Sequence, residues 1–336
     1  MKKWTFLKYA IVIIIFGVII YEFYPYIKDF RKLSKTFNSL SYVWFFIAIL
    51  VQALQYIQDG YFTKKLLRIL DFKIKFRNTV QIAVLDVFSS HLLPVGTFGA
   101  MVSMLYFYGK FGLDVQGVLF YNFALGIINI FILLFLFVSS SLLVSSSAFI
   151  IPIHLYLLAI VVAIITVVVS IAVLAFKIKK IRFSILNFLK KFHWFSSLEN
   201  STKKWEEYRR LQRRHRMVFF FMALLKSALY YGCDMLILAA AFFSLNAHIS
   251  FTAVMFAYTV SLLIGYASFL PAGLGSSDAA LALIFLAMKI NPLVVFGAIL
   301  FYRIISFGIP VPAGAVSYIF LRREIKKRDM EKLEAA

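Results

Sequence analysis

A chain of 336 residues that is 62% hydrophobic, with a mean hydropathy of +0.88, carries more apolar surface than a soluble core of that size can bury. Its formal charge of +21 lies in loops beside apolar runs, where Lys/Arg excess marks the cytoplasmic side of a membrane, so nucleic acid is not the expected partner. A lone cysteine in an apolar run, Cys233, says nothing about disulfides, and the five scattered histidines lack metal-ligand spacing, so neither metal nor cofactor is expected.

Apolar runs at 9–21, 118–138 and 155–176 approach or exceed the ~20 residues that cross a bilayer. They are solid rather than alternating, which points to an all-α polytopic membrane protein and away from a transmembrane barrel. The first run follows Lys2, Lys3 and Lys8 but ends in YEFYPY at 21–26 with no small-residue cleavage site, so it reads as a retained helix.

With the N-terminus placed inside, the first span, 9–25, goes out, and a second, 40–58, returns to a basic loop at 59–78. Two apolar pieces, 80–93 and 100–108, flank the break PVGTFG at 94–99, each too short to cross comfortably at ~1.5 Å per residue. They read as a re-entrant hairpin. The third span, 116–138, leads to an uncharged loop at 139–147, and the fourth, 152–176, returns to the basic loop 177–216 with its thirteen Lys/Arg. A fifth span, 217–243, exits to a short loop. The pieces 251–270 and 279–288 then flank a second break, FLPAGLGSSDAA at 269–280, and the sixth span, 293–320, ends in a basic tail, 321–336. This count puts 29 of 36 Lys/Arg on the cytoplasmic side, with both termini.

The two breaks resemble each other. LPVGTFG at 93–99 pairs with LPAGLG at 270–275, and LFY at 119–121 with LFY at 300–302. One membrane domain spanning 1–336 is therefore expected, built of repeats at 1–147 and 148–320 that enter the membrane from opposite sides. Inverted repeats with interrupted helices point to a carrier whose site lies near the midplane. Pro and Gly end a helix and free backbone groups in the bilayer, which is tolerable only where protein or a water-filled cavity satisfies them. Freed N–H groups at a half-helix N-terminus suit an anion such as a phosphate.

The candidate substrate-binding residues follow: Pro94, Gly96 and Gly99 at the first break, and Pro271, Gly273, Gly275, Ser276, Ser277 and Asp278 at the second. Asp86 and Arg303 join them as ionisable groups inside apolar runs, which mark a pathway or an ion pair. Arg303 is the strongest, because a guanidinium forks onto an oxyanion and keeps its charge. A packing kink with a local cap, and a structural pair between Arg303 and Asp86, Asp234 or Asp278, stand as the plainer alternatives. Lys226 and Asp234 share a helix face. No Walker A and no G-x-S-x-G occur, and no catalytic residues are assigned.

PAGLG at 271–275 followed by an acidic residue, LFYR at 300–303 and PVPAG at 310–314 together resemble the lysylphosphatidylglycerol synthase transmembrane region, a flippase-like membrane domain. The resemblance covers most of the chain. It implies a bacterial cell-membrane protein that moves an anionic or aminoacylated phospholipid, or a lipid-linked glycan, between leaflets. In bifunctional members a separate soluble domain makes the aminoacylated lipid, and this chain is expected to lack it, so a separate soluble transferase is a possible partner. The alternatives are a phosphatidylglycerol lysyltransferase and the membrane subunit of a lipid-modifying enzyme. The family often carries a basic residue after the first break, where this chain has Met101, Ser103 and Met104, which leaves more of the load to Arg303.

Overall fold

The computed structural model describes residues 41–92, 97–144, 201–268 and 275–334, and all the regular elements among them are helices. In chain order they are α1 (Tyr42–Ile69), α2 (Phe76–Leu92), α3 (Thr97–Phe111), α4 (Val115–Val144), α5 (Ser201–Arg214), α6 (Arg216–Ser244), α7 (Phe251–Ser268), α8 (Ser276–Ala287), α9 (Pro292–Arg303) and α10 (Pro310–Glu334). A five-residue π turn, Ile304–Gly308, joins α9 to α10.

Among the described residues, four runs are long and apolar enough to cross a membrane: α1, α4, α6 and the run Pro292–Glu331. The predicted first and fourth spans lie outside the described residues, so the expected count of six is neither reached nor contradicted. The helices are patterned for lipid. In α1 the exposed side chains include Tyr42, Val43, Phe46, Leu50, Leu54, Ile57 and Tyr61, while Gln52, Gln55, Gln58 and Thr63 are buried. Apolar groups face out and polar ones in, at helical spacing, which inverts the arrangement of a surface helix in water.

Several helix ends share one device. Asp71, Gly112, Asn246 and Lys289 have positive φ just past α1, α3, α6 and α8. In each case the next N–H reaches back five residues, as from Leu113 to the Tyr108 carbonyl at 2.9 Å and from Ala247 to Phe242 at 3.1 Å. This is the Schellman closure, which satisfies carbonyls that a helix end leaves open. Starts are capped too: Asn291 Oδ1 accepts the Leu293 N–H at 2.9 Å ahead of Pro292, and Asp114 Oδ1 accepts the Gly117 N–H at 2.8 Å.

The sequence reading is corrected at four boundaries. Helix α1 runs on to Ile69, so Lys64, Lys65 and Arg68 stand on a helix rather than in a loop. Helix α4 continues to Val144 through serines read as loop. Residues 201–214 of the long basic loop form a helix, and the tail is helical to Glu334.

The chain divides into two compact units: Met1–Gln55, Val87–Ala100 and Tyr231–Gly314 in the first, and Tyr56–Asp86, Met101–Tyr230 and Ala315–Ala336 in the second. In the first, α7 and α8 fold back on each other. Phe242 meets Phe285 edge-on with ring centres 4.6 Å apart, and Phe45 meets Phe301 at 5.4 Å. Gly314 lies against Phe88 so closely that any Cβ there would overlap the ring's own Cβ. In the second unit, Trp205 of α5 packs edge-on against Phe120 of α4 at 5.1 Å, and Tyr208 donates to Asp114 at 2.7 Å. There too, Glu324 accepts from Arg77 at 2.8 Å and from Lys75 and Asn78 at 3.1 Å each. Burial works against the Glu324 carboxylate, but the hydrogen bonds from Arg77, Asn78 and Lys75 outweigh it and hold the group down to about 2.

Candidate functional site

The site is built around the second break. Its segment 269–274, with Pro271 and Gly273, lies outside the described residues, as do Pro94 and, at the first break, Gly96. What is described on either side is an apolar helix that stops at Ser268 and one that restarts at Ser276. Gly275 takes φ +83°, a conformation that a side chain disfavours, and the chain turns there into α8. The first break has the same form, with α2 ending at Leu92 and α3 starting at Thr97, two residues ahead of Gly99.

Ser276, Ser277 and Asp278 open α8. Asp278 divides its carboxylate between two tasks. Oδ2 accepts the Gly275 N–H at 3.2 Å, one arm of a capping box, and Oδ1 accepts from Arg303 Nε at 2.6 Å. The Arg303 Nη2 donates to the Ser277 hydroxyl at 2.8 Å. These two bonds use Nε and one N–H of Nη2, out of the five N–H donors that a guanidinium carries. About a fifth of the Arg303 and Asp278 side chains stays exposed, at 20% and 21%, while both serines are buried. The pair is therefore held inside the unit but remains open to something reaching it.

Arg303 closes α9, and the π turn Ile304–Gly308 begins at the next residue. The sequence explains the turn. Pro310 and Pro312 have no N–H to continue the i→i−4 ladder, and the Ile309 N–H instead bonds the Ile304 carbonyl at 3.1 Å. Such turns are frequent at functional sites.

A further acid belongs to the same unit. Asp234 of α6 accepts from the Tyr258 hydroxyl at 2.7 Å and hydrogen bonds Gln55 of α1, and it faces Arg303 electrostatically. Arg303 thus has Asp278 as ion-pair partner and Asp234 as a second negative neighbour. Asp86, by contrast, belongs to the second unit. There Lys226 pairs with Asp59 at 2.5 Å, both side chains 13% exposed. The structure therefore assembles Gly275, Ser276, Ser277, Asp278 and Arg303 in one unit and places Asp86 in the other cluster.

Asp59, Tyr258 and Gln55 were missed in the sequence. Asp59 was counted with the basic loop, although Gln52, Gln55 and Gln58 recur every three residues as a buried polar stripe on a membrane helix and Asp59 follows four residues after Gln55. Among the described residues no group of His, Cys, Asp and Glu is arranged to hold a metal ion.

Membrane-length helices with lipid-facing apolar stripes, two apolar helix pairs separated by Pro/Gly breaks, and a part-buried Arg–Asp pair define a polytopic α-helical membrane protein. The chain matches the family described as the lysylphosphatidylglycerol synthase TM region over residues 6–314, and it belongs to that family. It is also similar to a UPF0104 membrane protein of Methanocaldococcus jannaschii, 33% identical over 107 residues. That stretch covers 32% of this chain and spans about a third of the relative, 32% of its length.

Proposed function

We propose that this protein is a flippase-like carrier that moves an anionic or aminoacylated phospholipid, or a lipid-linked glycan, between leaflets. The observation that carries the reading is Arg303, a permanent cation held at the restart of an interrupted helix by Asp278 and Ser277. A cation inside a membrane segment costs about 2.5–3.5 kcal/mol even on the gentler scales, so its retention calls for a function or a pair. The pair offsets that cost when the site is empty. The donors that the two bonds leave over, with the buried serines and the α8 N-terminus, suit the phosphate that these lipids share.

In this reading the substrate phosphate binds at Arg303, Ser276, Ser277 and Gly275, with Asp278 as the guanidinium's holder. Pro271 and Gly273, and Pro94, Gly96 and Gly99 at the other break, shape the path. Reconstituted into vesicles with a headgroup-labelled anionic lipid and a membrane-impermeant quencher, the wild type should equilibrate the label between leaflets. Arg303→Ala should abolish this while remaining folded, and Arg303→Lys should not restore it, because an ammonium lacks the planar fork. Normal translocation by Arg303→Ala would remove the site from the proposal.

The proposed topology has six spans, two re-entrant hairpins and both termini in the cytoplasm. On a Cys233→Ser background, a cysteine at Asn246 should react with an impermeant reagent from outside, and one at Lys204 should not. Reaction at Lys204 would overturn the arrangement. The family description names a synthase, so a second reading is the membrane region of a lipid-modifying enzyme. Aminoacyl transfer to phosphatidylglycerol by the purified chain would favour it over the carrier.

A further inference from the structure

The second unit contains a charge imbalance that the proposed phosphate site does not use. Asp86 of α2 is 7% exposed, and neither of its carboxylate oxygens meets hydrogen-bond geometry with any described residue. The charged and polar groups that act on it come from four helices. Asp59 comes from α1, Lys226 from α6, the Ser103 hydroxyl and Tyr108 from α3, and Tyr121 from α4. Asp59 has taken the single ammonium as its partner at 2.5 Å. Tyr121 donates instead to Thr63, at 2.9 Å.

With the phenols neutral, the cluster holds two carboxylates for one ammonium, a formal charge of −1 in a membrane interior. An uncompensated buried charge is expensive, and a single proton or monovalent cation removes it. A hard metal cation would need about six oxygens turned onto it together, whereas here an Asp59 oxygen is already held by Lys226 and the Tyr121 hydroxyl by Thr63. A proton needs only the carboxylate itself, and once bound it becomes a donor that the neighbouring Ser103 hydroxyl can accept.

We infer that Asp86 is a proton-binding site, loaded and unloaded as the protein works, and that its proton supplies the drive for lipid movement. The second half of this rests on the carrier reading above; the first does not. Loading adds one proton to an Asp86 oxygen from bulk water and takes the cluster from −1 to neutral. Unloading returns that proton, and no other bond changes.

The test uses the full chain in lipid nanodiscs and infrared difference spectroscopy of wild type against Asp86→Asn, a neutral replacement of the same shape. At neutral pH the wild type should show the C=O stretch of a protonated carboxylic acid, displaced in heavy water and absent from Asp86→Asn. Should Asp86→Asn fail to fold, Asp86→Glu must move the band rather than remove it. Spectra that coincide at every pH overturn the proton site.

In vesicles, a one-proton cycle should change the steady-state leaflet ratio of labelled lipid about tenfold per unit of imposed pH gradient. The effect should vanish in Asp86→Asn and be unaffected by exchanging sodium for potassium. Translocation by the wild type that ignores the gradient overturns the coupling. No translocation at all, with the infrared band present, overturns the carrier reading and leaves the proton site standing.

Discussion

Among the described residues, each unit sets a part-buried cation between two acids, and the two solve the problem differently. In the first, Arg303 meets Asp278 at 2.6 Å and Ser277 at 2.8 Å, and the remaining acid, Asp234, is satisfied by Tyr258 at 2.7 Å. In the second, Lys226 meets Asp59, and the remaining acid, Asp86, is left bare among the described residues. The difference lies in the surplus carboxylate. Where a phenol and an amide hydrogen-bond it, it is held in place near the arginine. Where only the Ser103 hydroxyl stands nearby and the ammonium is taken by Asp59, the carboxylate itself becomes the group that must change. A guanidinium never titrates and suits recognition of an oxyanion; an ammonium beside an unpaired acid suits traffic in protons.

The strongest way to break this comparison is to remove one partner from the second cluster. Asp59→Asn leaves a buried ammonium facing only Asp86, and should cost about 3–5 kcal/mol in thermal or denaturant unfolding unless Asp86 takes over the pair. If Asp86 does take over, the loss will be smaller and the infrared band of its protonated form will disappear. Adding Lys226→Met to Asp59→Asn should recover most of any loss, since it removes the orphaned charge.

Next in size are the close approaches. Gly60→Ala would push a methyl to 2.8 Å from the Val80 backbone in the second unit, and Gly314→Ala would drive one into Phe88 in the first. Each should lower stability by about 1–3 kcal/mol. Gly126→Ala meets nothing within 4 Å and should be near neutral, a control measurable in the same unfolding assay. Asp234→Asn should cost less, about 1 kcal/mol, because the amide oxygen still accepts from Tyr258.

The smallest effect is a pH dependence at Glu324, which lies past the apolar part of its helix among Arg322, Arg323, Lys326 and Lys327. Its carboxyl is held below the usual 4.5, at about 2. The unfolded chain therefore binds a proton first as pH falls, and the clasp with Arg77, Asn78 and Lys75 is fully stabilising above about 4.5 and lost on the way down to about 2. Glu324→Gln should flatten the stability profile in that window only; an unchanged slope would show that the clasp contributes nothing.

Much of this was legible before any coordinates, because membrane patterning is coarse. Apolar runs and Pro/Gly breaks located the start of α4 and the whole of α6, α7 and α8 within a few residues, and the charge of Arg303 in an apolar stretch marked it at once. What was not legible has a common cause. Lys64, Lys65 and Arg68 read as loop because they are charged, yet long cationic side chains extend from a helix to the headgroups without ending it. Asp59 was absorbed into that same basic stretch, so the second cluster lost its anion and Lys226 lacked its partner. Helix 201–214 was hidden because its apolar contacts, Trp205 against Phe120 among them, are made with a distant segment. Asp86 was visible as an acid in an apolar run, but only packing could show that Lys226 is already engaged.

The π turn after Arg303 has one more consequence, for the phase of its helix. An α-helix advances roughly 100° per residue, so the one surplus residue taken up by Ile304–Gly308 rotates everything downstream by about that angle relative to an uninterrupted helix. Downstream of the turn, Ser317, Leu321 and Ile325 are buried at four-residue spacing along α10. Deleting any one residue of this turn would restore an unbroken α ladder while rotating that stripe by about 100° about the helix axis, and inserting one would rotate it the other way. The length of a five-residue segment thus determines which face of α10 is wet, greasy or packed, independently of what its side chains are.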